Sequence, residues 1–116
     1  MDITRTIQQD EDPSHIDGFF QGQNRELRFP VKGKPKRLGM GDYVYLIFRG
    51  KIVGRFSVTH IVPIPPNQIP YEVGKKRPFT TKGTYFVVTK APGERTTKLI
   101  HRRGHQGIRY DNVSAW

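Results

Sequence analysis

The sequence predicts a small, mostly β domain of the α+β class, an antiparallel β-barrel with one or two short helices. Its 116 residues are enough for one domain with one modest core. Its 12 Gly and 9 Pro residues and its apolar fraction of only 34% disfavour a helical bundle and favour short strands joined by turns. Between these turn residues lie several short runs rich in β-branched and aromatic residues, which are typical of strands.

The N-terminal residues predict an arm followed by a helix. Residues 1–13 are polar and acidic and end in Asp-Pro. We therefore expect a flexible acidic arm over 1–13 and a single domain over 14–116. Ser14 is expected to cap a short helix that ends at Gly18 or Phe20.

The first strands are predicted from alternation and from one turn. Residues 26–30 alternate between polar and apolar and predict a strand, and residues 31–40 form a basic loop. The β-rich runs 42–48 and 51–62 are separated by Arg49-Gly50, which predicts a hairpin. In the second arm of this hairpin, alternation places on one face Ile52, Phe56, Val58 and Val62.

The second half of the chain predicts a long loop and three more strands. Residues 63–82 carry four closely spaced Pro and a basic cluster, so we expect an extended loop, and loops of that length are often functional. Residues 84–91 predict a strand, Pro92-Gly93 a turn and residues 95–101 its partner strand. Residues 107–110 predict a short final strand.

The charge of the chain points to a polyanionic partner. The chain has 20 Lys and Arg residues against 10 Asp and Glu, a formal net charge of +10. Five of the ten acidic residues lie within the first 17, so the region from 25 to 109 holds 19 basic and four acidic residues. Basic clusters in predicted loops are suited to contact phosphates. The candidate phosphate-binding residues are Arg25, Arg28, Lys34, Lys36, Arg37, Lys75, Lys76, Arg77, Arg102 and Arg103.

Aromatic and amide side chains beside these clusters predict a place for a base. Phe19 and Phe20 are flanked by Gly and Gln, and we expect them to stack on an unstacked base. Gln21 and Asn24 carry amides that both donate and accept hydrogen bonds, so they are the candidates for contact with the base edge.

Several function classes have little support in the sequence. The chain has no Cys, no Ser in a nucleophile elbow and no His spacing typical of a zinc site, so we predict no metal, no cofactor and no assigned catalytic residue. The longest apolar run is far shorter than a membrane span. No basic-then-apolar leader begins the chain, and we expect a cytoplasmic protein without a membrane partner.

The order of three segments resembles the PUA-like superfamily, and its ASCH and EVE branches in particular. These segments are GQNRELR at 22–28, MGDYVYLIF at 40–48 and KIVGRFSV at 51–58, and residues 84–89 and 106–110 also suit the pattern. The resemblance implies a small β-barrel that binds RNA, or modified bases in DNA or RNA, in a cleft beside the barrel. The aromatic and polar segment 19–25 is similar to the one that EVE-type readers carry.

Two other functions remain open at this point. Some ASCH proteins resemble nucleoside amidohydrolases that use a Lys ahead of the Glu-x-Arg strand, but here Gln23, Asn24 and Arg25 stand there. In that alternative, Glu26 and Lys32 or Lys34 would lie near the chemistry. A basic protein-interaction module with an acidic partner is the third possibility. The charge does not distinguish DNA from RNA.

Overall fold

One helix and six strands follow one another in the computed structural model, which describes residues 1–21, 26–65, 84–114 and 116. The strands form one sheet in the order β2-β5-β4-β3-β1-β6, curled into a half-barrel. The predicted fold class is confirmed. Four of the pairings are antiparallel, whereas β1 pairs with β3 in parallel. The elements are β1 (Ile3–Ile7), α1 (Pro13–Gln21), β2 (Glu26–Lys32), β3 (Tyr43–Phe48), β4 (Lys51–Pro63), β5 (Thr84–Arg95) and β6 (Ile108–Tyr110).

The predicted N-terminal arm is wrong, because its first residues form a strand inside the sheet. β1 lies between β3 and β6, and its residues Ile3 and Ile7 are almost completely buried. Four of the five residues in Ile-Thr-Arg-Thr-Ile are β-branched, which suits a pleated strand. The alternation places Ile3 and Ile7 on one face of the sheet and Thr4 and Thr6 on the other.

Helix α1 begins two residues earlier than expected, at Pro13, and its cap is Asp12 rather than Ser14. The backbone N–H and the hydroxyl of Ser14 both donate to Oδ1 of Asp12, at 2.9 Å each. These hydrogen bonds, the backbone one first, lower the pKa of Asp12. Pro13 takes the first helical position, where its missing N–H costs nothing. Ile16 and Phe20 lie one turn apart and are buried against the sheet.

The predicted hairpin is confirmed, with two bulges that the alternation did not show. Arg49 and Gly50 both have positive φ angles, 53° and 80°, as a type I′ turn requires. An extra residue shifts the register of β4 near Ile52 against β3 and again beyond Val58 against β5, and a third shift, between Arg55 and Ser57, inserts extra residues in β5. Each extra residue in β4 moves the residues that follow it to the other face of the sheet. The prediction of one shared apolar face is therefore right for Phe56 and Val58 and wrong for Ile52 and Val62.

β5 does not turn at Pro92-Gly93 but continues to Arg95. The pairing of β5 with β2 ends at Lys90. Within the described residues, no N–H at position 92 is therefore needed for a hydrogen bond to β2, and Pro92 is tolerated. The chain then leaves the sheet, and the predicted partner strand over 95–101 is wrong. Only His101 forms a single bridge, with Lys51.

Apolar side chains pack on both faces of the sheet. We call the larger group, under α1, the inner cluster and the smaller one the outer cluster. The segment after β5 covers the outer cluster, since the N–H of Ile52 donates to the carbonyl of Ile100 at 2.8 Å. The inner cluster is Ile3, Ile7, Ile16, Phe20, Phe29, Val31, Leu38, Val44, Leu46, Phe48, Phe56, Val58 and Val87, and the outer cluster is Tyr45, Ile47, Ile52, Ile100 and Val113.

Candidate nucleic-acid interface

The basic loop after β2 is fixed against the edge strand β6. The backbone N–H of Arg37 donates to the hydroxyl of Tyr110 at 3.1 Å, and the guanidinium of Arg37 lies 5.5 Å from the centre of the same ring. The carbonyl of Arg37 accepts a hydrogen bond from the N-terminal ammonium of Met1 at 2.6 Å. Leu38 is buried in the inner cluster. These contacts hold the loop beside β6.

A carboxylate at the start of β3 supports the same anchor. Oδ2 of Asp42 accepts hydrogen bonds from the N–H of Gly39 at 2.8 Å and from the ammonium of Met1 at 3.0 Å. The bond from Gly39 and then the one from Met1 lower the pKa of Asp42. Asp42 is therefore ionised over the neutral range and keeps the loop and the N-terminus together.

The segment 102–106 lies against strand β1, next to the edge strand β6. The N–H of His105 donates to Oγ1 of Thr6 at 3.0 Å, and Nε2 of His105 lies 2.8 Å from Oγ1 of Thr4. Thr4 is in turn the strand partner of Arg109 in β6. The neighbouring Arg102-Arg103 cluster therefore lies close to β1, next to the edge strand β6.

The exposed cations at this edge have no carboxylate partner among the residues that the structure describes. Arg37 lies over Tyr110, Arg109 is in β6 and Arg103 precedes His105. All of them are solvent-exposed. We call this group the β6 surface, and it consists of Lys34, Lys36, Arg37, Arg103 and Arg109.

Two predicted phosphate-binding residues are instead used in ion pairs. Nε of Arg102 donates to Oδ2 of Asp111 at 2.8 Å. Arg28 lies on β2, at the opposite edge of the sheet, where it pairs with Glu26 at 3.3 Å and lies over the ring of Phe86. Arg28 and Arg102 thus have carboxylate partners, and their contact with phosphates stays a prediction. Glu26, the acid of the hydrolase alternative, is held in the same exposed pair.

The predicted base pocket does not form around Phe20. This residue is only 8% exposed, and its ring stacks on Phe56 with centroids 4.9 Å apart, so it belongs to the core. Phe19 is half-buried against the inner cluster, and Gln21 is exposed at the end of α1. The candidates that lie outside the described residues are Asn24, Arg25, Lys75, Lys76 and Arg77.

His105 is the titratable group closest to the β6 surface. Its ring is half-buried, and burial first, followed by the nearby charges of Arg109 and Arg5, lowers the pKa of His105. Since the carbonyl of Gln106 can only accept, Nδ1 carries the hydrogen in their 3.3 Å contact. Because the pKa of His105 lies below its ordinary value of 6.5, the ring is mostly uncharged at pH 7 and adds little charge to the surface there.

An arginine held by aromatic rings lies on the outer face of the sheet, and sequence reasoning missed it. The Cζ atom of Arg55 lies 4.0 Å from the centre of the Tyr43 ring and 4.3 Å from that of Trp116. Its Nη1 donates to the hydroxyl of Tyr45 at 3.2 Å, and its Nη2 to Glu94 at 3.1 Å. We call these three residues, Tyr43, Arg55 and Trp116, the arginine stack.

The electrostatics of the arginine stack keep the guanidinium charged. Burial opposes the charge of Arg55, but the hydrogen bonds to Tyr45 and Glu94 outweigh it and raise the pKa of Arg55. Only the bulge in β4 places Arg55 opposite Tyr45, so simple counting from the turn does not bring the two together. Nothing in the sequence marks Trp116 as their neighbour.

Comparison of the chain with family models, with curated proteins and with solved structures finds no match. The resemblance to the PUA-like superfamily therefore stays a prediction. Within the described ranges, no three His, Cys, Asp or Glu side chains come together as they would around a metal ion. No helix in those ranges is long and apolar enough to span a membrane.

Proposed function

We propose that this protein binds nucleic acid through the β6 surface. The observation that carries the proposal is the group of five exposed cations in β6 and in the two segments that contact β1 and β6, without carboxylate partners in the described part of the chain. A phosphate backbone releases condensed counter-ions when such cations replace them. The net charge of +10 adds long-range attraction to the same partner.

The kind of cation favours a nucleic acid over an acidic protein. Three of the five are Arg, whose planar guanidinium donates two parallel hydrogen bonds to a phosphate and also stacks on rings. Arg37 already lies over the Tyr110 ring, so a flat cationic surface and phosphate-binding side chains stand side by side. The resemblance to PUA-like domains, stated from the sequence, points to the same class of ligand.

The test is a binding series with labelled oligonucleotides, read by fluorescence anisotropy. Single- and double-stranded RNA and DNA of equal length are compared with polyglutamate as a competitor. We expect nucleic acid to bind and polyglutamate of equal charge to compete poorly. If polyglutamate competes as well as RNA, the partner is an acidic protein, and the proposal is overturned.

A matched pair of variants assigns the binding to the β6 surface. Lys34→Ala with Lys36→Ala removes two exposed charges from the surface. Lys90→Ala with Lys98→Ala removes two exposed charges that lie outside the segments of the β6 surface. We expect the first variant to bind more weakly than the wild type and the second to bind nearly as well. Equal losses in the two variants would mean that net charge alone drives binding.

A further inference from the structure

The arginine stack has the geometry of a rigid, flat and charged platform. Tyr43 lies against the guanidinium of Arg55, and Tyr45 and Glu94 hold its two terminal nitrogens. The side chain of Arg55 is only 16% exposed, so these contacts fix its plane. Planar guanidinium groups and aromatic rings are the surfaces on which proteins stack unpaired bases.

One donor of this platform has no partner. Nε of Arg55 is buried and makes no hydrogen bond within the described residues. A buried donor without an acceptor costs free energy. A hydrogen bond from Nε of Arg55 would therefore stabilise a complex that supplies the acceptor. A nucleotide whose base lies on the face of the guanidinium can make it only with another of its atoms, such as a sugar or phosphate oxygen, placed in the guanidinium plane.

Trp116 occupies the place that such a ligand would take. Its ring lies 4.3 Å from Cζ of Arg55 and meets the edge of Tyr45 at 5.7 Å, and it is only partly buried. The indole is a planar bicyclic ring of about the size of a purine, but its only polar group is a donor. A purine presents a face of similar size, and the sugar and phosphate oxygens of its nucleotide can accept from Nε within the guanidinium plane, which the indole cannot do.

The platform is connected to the β6 surface through direct contacts. Met1 binds the carbonyl of Arg37 with its ammonium and the carboxylate of Asp42 with the same group. Asp42 immediately precedes Tyr43, whose N–H donates to Asp2 at 2.9 Å. A nucleic-acid strand whose phosphates contact the β6 surface thus has the platform at the same end of the sheet.

We propose that a purine base of single-stranded nucleic acid stacks on Arg55 in place of the Trp116 indole. This inference rests on the proposed function, because phosphate binding at the β6 surface delivers the base. The charge of Arg55 argues against an organic cation as the ligand, since two positive groups would repel each other. The base has to be unpaired, because a paired base does not expose its face.

The single tryptophan of the chain makes the displacement directly measurable. Oligoadenylate is titrated into the protein while anisotropy reports binding and intrinsic emission reports Trp116. We expect the emission to shift to the red over the concentration range of binding, since the indole moves from Arg55 into water. Inorganic polyphosphate of matched charge is expected to bind without that shift.

The outcomes separate this inference from the proposed function. Binding of oligoadenylate with unchanged Trp116 emission overturns the inference and leaves the β6 surface intact. A red shift that polyphosphate also causes overturns it as well, because no base is then required. Absence of any nucleic-acid binding overturns the proposed function and this inference together.

Two variants test the platform independently of the emission. Arg55→Lys keeps the charge but removes the flat surface, and we expect it to lower the affinity for oligoadenylate about tenfold and to leave polyphosphate binding unchanged. Trp116→Ala removes the occupant, and we expect it to bind oligoadenylate at least as tightly as the wild type. Weaker binding by Trp116→Ala would show that the indole is part of the ligand site, against the inference. If Arg55→Lys does not fold, the affinity of Trp116→Ala and the emission of the wild type still decide whether a base replaces the indole.

Discussion

Two glycines in the long strands let aromatic rings lie directly against the backbone. A Cβ atom at Gly54 would overlap the ring of Phe20 and lie 2.6 Å from the carbonyl oxygen of Glu94, and one at Gly93 would overlap the ring of Phe56. Phe20 and Phe56 stack on each other in the core, so neither ring has room to retreat. The glycines therefore fix the distance at which α1 packs on the sheet.

Gly54→Ala is expected to destabilise the fold. Because the methyl group meets both a buried ring and backbone, we expect the free energy of unfolding to fall by about 1–3 kcal/mol, as for other overpacked cores. Urea denaturation measures the change. Gly18→Ala is the control, since nothing lies within 4 Å of a Cβ at that exposed helical position, and there we expect a gain of about 0.4–1 kcal/mol. Similar effects of the two substitutions would contradict the packing argument.

His105 makes the stability depend on pH. Burial and neighbouring cations lower the pKa of His105 below its ordinary value of 6.5. The unfolded chain therefore binds a proton at a higher pH than the folded chain does. The contribution of His105 to stability is present above pH 6.5 and is lost as the pH falls through the lowered folded pKa.

His105→Asn should flatten this part of the pH profile. The wild type is expected to lose stability in urea denaturation as the pH falls below 6.5, and the variant is expected to lose less over the same range. His60→Asn is the control, because His60 is an exposed side chain on the far half of the sheet. A wild-type slope retained in His105→Asn would exclude His105 as its source.

Among the elements, the short strand β1 joins the edge strand β6 to the rest of the sheet. Its five residues pair with β3 on one side and with β6 on the other, so β6 is attached to the sheet through β1. Ile3 and Ile7 extend the inner cluster below the helix. The β6 surface thus depends on a strand at the very start of the chain.

Truncation of Ile7 tests whether β1 belongs to the core. Ile7 is 1% exposed, so Ile7→Ala is expected to lower the free energy of unfolding by about 2–5 kcal/mol, and Ile7→Val by about 0.5–1.5 kcal/mol. Thermal and urea denaturation measure both. A flexible arm would give no change in either variant, and that result would contradict the position of β1.

The elements that local signals define could be predicted, and those that distant contacts define could not. Arg49-Gly50 sets the hairpin because a two-residue turn with positive φ angles specifies its own geometry. β1 was missed because its acidic neighbours suggested an arm, although its β-branched alternation was a usable signal. Gly54 within the strand is a usable signal for the bulge beside it, whereas no local pattern marks the shift beyond Val58.

Across the whole molecule, the separation of paired from unpaired cations distinguishes the candidate interface. The exposed lysines of the basic loop could be predicted from the sequence, because Gly and Pro keep that loop out of the sheet. The pairing of Arg102 with Asp111 and of Arg55 with Glu94 depends on which carboxylate the fold brings close. A count of charges therefore predicts a class of partner but not the residues that are free to contact it.

The salt dependence of binding tests the central claim most directly. Affinity for a single-stranded oligonucleotide is measured at several salt concentrations for the wild type, for Lys34→Ala with Lys36→Ala, and for Lys90→Ala with Lys98→Ala. About 0.7 counter-ions are released per phosphate contact on a single strand. The negative slope of log affinity against log salt is therefore expected to become shallower by about 1.4 in the first variant. The slope of the second variant should equal that of the wild type. Equal slopes for all three proteins would contradict the assignment of phosphate binding to the β6 surface.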